Sequence, residues 1–284
     1  MSERTGPAFV CIGAQKGGTT WLYENLSKHP EVWMPPVKEI HYFNRLCVNE
    51  QLLGDWTVPH EHGVKRYIGE IKKLNIKNIR WMRNYYEYSM NASQYLALFS
   101  NKYTDGSISG DITPAYSTLE EKGIKYASRI LDKNVPIIFI IRNPIYRSWS
   151  ALKMILRYQD RRIEDVSTAE IVSMLQQPNI ALGSEYIKTI TSWRKYFNNF
   201  HVLTFDELCE SPRALLTRVS EIIGISDNWD ERIIKKRVWA DNKNISMSPT
   251  VLEALTQTYT KEINSLDKII DFDCAKHWLK DTDG

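Results

Sequence analysis

The segment Gly13-Ala-Gln-Lys16-Gly17-Gly18-Thr19-Thr20 has the residue types needed to hold a phosphate. Glycines let backbone amides converge on an anion, and a following helix presents free N–H groups and the positive end of its dipole. The spacing of Gly13 and Gly18 is that of a P-loop, whose last positions are normally Gly-Lys-Ser/Thr. Here Thr19 occupies the lysine position, and the lysine lies upstream at Lys16. The backbone of Gly17 and Gly18 can still wrap a phosphate, and Thr19 and Thr20 add hydroxyl donors. The usual arrangement of lysine and magnesium around a γ-phosphate is missing. The apolar run 137–141 also ends in Arg142 and not in an acidic residue. The segment therefore reads as a P-loop-like phosphate-binding loop for a nucleotide whose chemistry needs no metal. The competing reading is a glycine-rich turn with no ligand.

A second anion site is expected at Arg142-Asn143-Pro144. Asn143 suits a helix N-cap and Pro144 the first helical position. Arg142 then sits at the carboxyl end of a strand, where open α/β sheets bind ligands. Ser148 and Ser150 fall in the first turns of the helix and face different ways. An arginine with a serine at a helix start is a reasonable phosphate clamp. The alternatives are that Arg142 pairs with a carboxylate and that Ser150 faces solvent. For Arg147 a structural salt bridge is expected.

These residues need elements to position them. Ala8–Ile12 is a short apolar run ending at a glycine, as in a buried parallel strand. A helix is expected from Thr19 to about Lys28, stopped by His29-Pro30. Ile137–Ile141 is apolar and mostly β-branched, so it reads as a central strand. Another strand is expected at His201–Phe205, and a helix near Ser211-Pro212. Strands alternating with helices give an α/β fold, a three-layer sandwich around a central parallel sheet. No composition break divides the chain, so residues 1–284 read as one domain. Residues 45–105 and 157–185 read as inserted helices and loops that could form an acceptor pocket or a lid. The aromatic residues Trp56, Tyr67, Trp81, Tyr85, Tyr86, Tyr88, Tyr95 and Phe99 would line such a pocket or simply pack. Ser248–Trp278 reads as helical packing, and Asn244–Met247 as a cover for the nucleotide.

Composition removes several classes of function. With 43% apolar and 25% charged residues, the chain can form a full core without staples. A net charge of +3 is too balanced to suggest a nucleic-acid partner. Four scattered cysteines, without a CxxC pair, read as reduced thiols. The opening MSERTGPAFV has no apolar core of a signal peptide, and no run is long enough to span a bilayer. A cytoplasmic protein without a membrane span or metal site is expected.

Together, the loop and the clamp resemble sulfotransferases that use 3′-phosphoadenosine 5′-phosphosulfate (PAPS). Lys16-Gly-Gly-Thr-Thr-Trp21 is similar to that family's 5′-phosphosulfate loop. Arg142-Asn-Pro-Ile-Tyr-Arg147-Ser-Trp-Ser150 is similar to its 3′-phosphate motif. Lys38-Glu39-Ile-His41-Tyr-Phe43 resembles the segment carrying the catalytic glutamate in the heparan-sulfate and related bacterial branch. Thr113-Pro-Ala-Tyr116 resembles its Ser/Thr-Pro-Ala-Tyr segment, and Thr204-Phe-Asp-Glu-Leu208 is a weaker match.

The resemblance implies PAPS as co-substrate, adenosine 3′,5′-bisphosphate (PAP) as product and no required metal. It implies Glu39 as general base, with a pKa raised by a partly closed pocket, and Lys16 on the oxygen bridging sulfur to phosphate. Gly17, Gly18, Thr19 and Thr20 would bind the 5′-phosphate, Arg142 and Ser150 the 3′-phosphate, and Trp21 would stack on adenine. His41 shares a face with Glu39 if the segment is extended, and could assist the base or contact sulfate. Asp111 would sit near the site without being catalytic.

Two positions depart from the glycosaminoglycan branch: Ile112 replaces its lysine and Asn44 its aspartate. The acceptor is therefore left as a small molecule, lipid or carbohydrate bearing a hydroxyl or amine. The rival functions are a small-molecule or nucleotide kinase and a non-catalytic nucleotide-binding protein.

Overall fold

The structure is a computed structural model that describes residues 6–47, 76–86, 91–104, 107–235 and 246–279. Four strands form one sheet: β1 (Phe9–Gly13), β2 (Gly110–Ile112), β3 (Ile137–Ile141) and β4 (Phe200–Thr204). Their spatial order is β2-β1-β3-β4, and every pair is parallel. Side chains alternate across a strand, and here the alternation separates two cores. Val10, Ile12, Ile137, Phe139 and Ile141 join one cluster. Phe9, Cys11, Ile138, Ile140 and Leu203 join the other. Both faces of the sheet are thus covered, which explains why β1 and β3 read as continuous apolar runs.

Helices form the outer layers. Those that bear on the site are α1 (Thr19–Leu26), α2 (Tyr42–Cys47), α3 (Glu121–Ile130), α4 (Pro144–Tyr158), α5 (Tyr186–Arg194), α6 (Pro212–Ile223) and α7 (Pro249–Leu266). Leu22 and Leu26 of α1 pack with Leu215, Leu216 and Val219 of α6 on one face. Ile145, Leu152 and Leu156 of α4 pack with Leu255 and Ile263 of α7 on the other. The expected three-layer α/β architecture is therefore present, and α7 lies in the expected C-terminal helical stretch.

Strand β2 has no counterpart in the sequence reading. It has three residues, Gly-Asp-Ile, and too little apolar character to stand out. It belongs to the sheet because Phe9 pairs with Gly110 across the ladder. The inserted segment 45–105 contributes helices Ile76–Tyr86 and Ala92–Ala97. Trp81, Tyr85, Tyr95 and Phe99 are buried and pack in the core, where the Tyr95 hydroxyl also has a partner. Trp56, Tyr67, Tyr88 and Asn244 lie outside the described residues. Met247, at the end of the expected nucleotide cover, packs against the core.

Gly110 has no room for a side chain. An added Cβ would lie 2.3 Å from Phe9 Cζ, and the Phe9 ring is itself fully buried. Gly110→Ala should lower stability by about 1–3 kcal/mol, read as a lower urea midpoint at unchanged slope.

Candidate active site

Parallel strands end at the same edge of their sheet, and here that edge collects both expected anion turns. The loop after β1 is tied to β3: the Ala14 N–H donates to the Ile140 carbonyl at 2.7 Å. The Gly17 N–H donates to the Ala14 carbonyl at 2.9 Å, closing a tight turn. Gly17 must be glycine, because a Cβ would lie 2.5 Å from the Ile140 carbonyl oxygen. Lys16 and Gly18 have φ of 71° and 97°, so the loop takes two left-handed residues on its way into α1. Gly18 is the N-cap of α1 and supplies no side-chain cap. The first amides of α1 therefore remain available to an anion.

Arg142 leaves the end of β3 and turns toward this loop. Its Nη1 donates to the Lys16 carbonyl at 3.3 Å. Its guanidinium lies 4.4 Å from the Phe205 ring centroid, a cation–π contact. Burial lowers its pKa, but an arginine stays charged. Tyr186 of α5 donates to the Arg142 carbonyl at 2.7 Å, which holds the turn from behind. The two anion turns are therefore adjacent and bonded to each other. The segment 204–208 also touches the loop, because the space beside Gly18 is filled by Leu208 and Phe205.

The serines of α4 divide as expected. Ser148 is fully buried and bonds with the hydroxyls of Ser184 and Tyr259, so it belongs to the core. Ser150 remains half-buried two residues on, available to a clamp. Arg147 is a correction. It makes no salt bridge, and no carboxylate lies against it among the described residues. Instead Nε donates to Ser184 Oγ at 2.7 Å, and Nη2 to Ser148 Oγ and to the Ile180 carbonyl. Its Nη1 has no hydrogen-bond partner, and the fully buried head packs against Gly183.

Trp21 is 6% exposed and its indole N–H donates to the Ile234 carbonyl at 3.2 Å. That is the bonding of a core residue.

Glu39 and His41 do meet, but not by the route the sequence suggested. The segment is not extended: Glu39 and His41 have φ of 66° and 59°. Paired left-handed turns, rather than a pleat, bring His41 Nε2 to 3.5 Å from Glu39 Oε2. Lys38 closes the group with an ion pair to Glu39 Oε1. His41 Nδ1 lies 3.2 Å from the side-chain nitrogen of Asn44. The Asn44 amide oxygen lies 3.3 Å from the same ring nitrogen, so Asn44 holds the ring from behind while Nε2 faces the carboxylate.

The Glu39 carboxyl lies opposite to the expected direction. Burial pushes its pKa up, but the His41 hydrogen bond and the Lys38 ammonium outweigh burial and bring it to about 2. Glu39 is therefore a carboxylate in neutral solution. Its neighbours Ile40, Tyr42 and Phe43 are buried, as their types suggested.

A group the sequence placed nearby but left without a task holds this segment. Asp111, on β2, is 1% exposed and accepts hydrogen bonds from Tyr95, Thr113 and Tyr116 hydroxyls at 3.0, 2.7 and 2.9 Å. Thr113 Oγ1 accepts from the Ile40 N–H, and the Tyr116 hydroxyl from the Tyr42 N–H, each at 3.0 Å. The motif Thr113-Pro-Ala-Tyr116 was legible, but the fold alone shows what it grips. Ser117, one residue on, contacts Gly13 and lines a cavity of about 240 Å³ with Thr118, Glu120, Lys188, Thr189 and Ser192.

Residues 7–231 match the profile of a family described as the sulfotransferase family. Over 231 residues the chain is 23% identical to heparan sulfate glucosamine 3-O-sulfotransferase 5 of Homo sapiens, covering 77% of this chain and 54% of that protein. Over 155 residues it is 26% identical to a membrane-associated sulfotransferase of Dictyostelium discoideum, covering 55% of this chain and 24% of that protein. The chain thus spans about half, or less, of the length of these relatives. A solved sulfotransferase from Alicyclobacillus acidocaldarius superposes with a TM-score of 0.60 at 21% identity, covering 93% of this chain and 95% of that one. A sulfotransferase domain from the curacin biosynthetic pathway superposes with a TM-score of 0.54 at 13% identity, covering 83% of this chain and 80% of that one. Among the described residues, no helix is long and apolar enough to cross a membrane.

Folding lowers the Glu39 pKa from 4.5 to about 2, so the ionised carboxylate stabilises the fold at higher pH. That contribution is fully present above about pH 5 and is lost as pH falls toward about 2. Glu39→Gln should flatten the acid limb: over this window its urea midpoint should fall less steeply than that of the wild type.

Proposed function

Because this chain belongs to the sulfotransferase family, we propose that it transfers the sulfuryl group of PAPS to a hydroxyl or amine of a small molecule, lipid or carbohydrate. The observation that carries this reading is the hydrogen bond from Arg142 to the Lys16 carbonyl, which joins the two candidate anion turns at one edge of the sheet. A nucleotide with phosphate at both its 3′ and 5′ positions presents two anions to such a pair. Gly17, Gly18, Thr19 and Thr20, with the open start of α1, take the 5′-phosphate. Arg142 and Ser150 take the 3′-phosphate, which ATP lacks.

The step is an in-line displacement in which positioning and electrostatics supply most of the catalysis. The acceptor oxygen or nitrogen forms a bond to sulfur as the bond from sulfur to the 5′-phosphate oxygen breaks. The leaving electron pair stays on that oxygen, where Lys16 offsets the charge. The acceptor proton passes to Glu39, and from there to water. Glu39 is ionised beforehand but weakly basic, so the proton moves late, once sulfur has acidified the acceptor. His41, whose Nε2 lies 3.5 Å from Glu39 Oε2, orients the carboxylate and can contact a sulfuryl oxygen. The largely buried Lys38 is ion-paired to the same carboxylate and helps to hold it in place.

The balanced charge of the chain and its buried Cys11 and Cys274 fit a reduced, cytoplasmic setting. Burial raises the Cys11 thiol to about 12, so it is inert as a nucleophile.

Thermal unfolding with ligands tests the donor site. PAP without divalent metal should raise the midpoint, because a ligand at about 100 times its Kd adds roughly 2.7 kcal/mol. ATP with magnesium should not raise it; the reverse pattern would point to a kinase. Glu39→Gln should reduce transfer of ³⁵S from PAPS to a panel of alcohols, phenols, sugars and amines by about 10²–10⁴-fold, with PAP binding kept. Normal turnover in that variant would remove Glu39 from the base's role.

A further inference from the structure

Two features of the segment carrying Glu39 have no local explanation. Glu39 and His41 both take left-handed backbone conformations, and neither is a glycine. For such residues that region is unfavourable, costing of order 1–3 kcal/mol each, and it persists only where surroundings over-determine it. The surroundings here are two hydroxyl oxygens. Thr113 receives the N–H that follows Glu39, and Tyr116 receives the N–H that follows His41. The Glu39 N–H itself donates to the Ile112 carbonyl at 3.1 Å. Three amides, those of Glu39, Ile40 and Tyr42, are thus held by Ile112 at the end of β2 and by Thr113 and Tyr116 just beyond it, which fixes the turn around both strained residues.

A hydroxyl can rotate, so an amide donating to it is well held only when the hydroxyl proton has a fixed destination. Both protons go to Asp111. Thr113 donates to Oδ1, while Tyr116 and Tyr95 donate to Oδ2. The carboxylate is fully enclosed and faces no cation within ion-pair distance among the described residues. A buried carboxylate in that position is costly unless its acceptor capacity is filled. Here three hydroxyls fill it.

We propose that Asp111 is a positioning residue for transfer. It orients the Thr113 and Tyr116 hydroxyls so that they hold the Ile40 and Tyr42 amides and thereby aim the Glu39 carboxylate and the His41 ring at the acceptor. Asp111 touches no substrate in this arrangement; it acts through two hydroxyls and two amides. The proposal rests on the reading of Glu39 as the base.

Thr113→Val removes one hydroxyl from this relay without changing side-chain shape, Tyr116→Phe removes the other, and Thr113→Ser keeps a hydroxyl. Transfer of ³⁵S from PAPS would be followed to the acceptor chosen by the panel, or to water as released sulfate. The expected result is a kcat lowered about 10–100-fold in Thr113→Val and in Tyr116→Phe. The KM for PAPS and the Kd for PAP should stay within about threefold of wild type, and Thr113→Ser should recover most of the rate. Asp111→Asn should lower kcat in the wild-type background and much less in the Thr113→Val background, as expected of residues acting in one chain.

Unchanged kcat in both single variants would overturn the proposal. So would a loss of PAP binding as large as the loss of rate, or a serine variant no better than valine. Glu39→Gln separates the two readings. If it is inactive while the relay variants turn over normally, the relay is wrong and the base stands. If it turns over normally, the base reading itself has failed.

Discussion

The bond on which the site depends is the 2.7 Å hydrogen bond from the Ala14 amide to the Ile140 carbonyl. It extends the pairing of β1 and β3 past the end of β1, so the glycine loop starts its turn from a fixed point on the neighbouring strand. From there the loop has little freedom. Gly17 is pressed against the same carbonyl, and Gly18 against Leu208 and Phe205. Arg142, two residues after Ile140, then reaches back to the Lys16 carbonyl. Both candidate anion turns are built on one pair of adjacent strands, so their separation is set by the ladder and not by a flexible linker. Rigid elements hold a binding site more closely than loops do.

Much of this was legible because the signals were strong and local. Ile137–Ile141 is apolar throughout, and a strand enclosed on both faces has no polar side to show. Asn143-Pro144 announced the start of α4, and the Asn143 side chain does cap it, accepting from the Ile145 N–H. Gly17 sits where backbone approaches backbone, and Gly18 takes a left-handed conformation against two side chains, which are the physical reasons for glycine at these positions. Family resemblance added the segments around Glu39 and Thr113, which periodicity alone would not have singled out.

The parts that were not legible depend on partners far away in sequence. Strand β2 is three residues long, and only its pairing with Phe9 makes Gly-Asp-Ile a strand. The depressed Glu39 carboxyl follows from the fold of the 38–41 turn, which swings His41 and Lys38 onto one carboxylate; the residue types alone suggested the opposite direction. Arg147 looked like half of a salt bridge because exposed arginines often are. Its partners are two serines and a carbonyl, two of them more than 30 residues away. Asp111 carries no local signal, since its contacts reach the Glu39 segment only through hydroxyls 73 and 74 residues from the amides they hold.

Arg147 has an electrostatic consequence. Its guanidinium is buried, positive and without a counter-charge among the described residues; burial is the main cause of the lowered Arg142 pKa, and the charge of Arg147 adds to it. Dissolved salt screens exposed charges within about 10 Å at 0.1 M but reaches enclosed ones far less. The interaction between these two enclosed cations therefore runs through protein rather than water, and added salt weakens it less than it weakens an exposed pair.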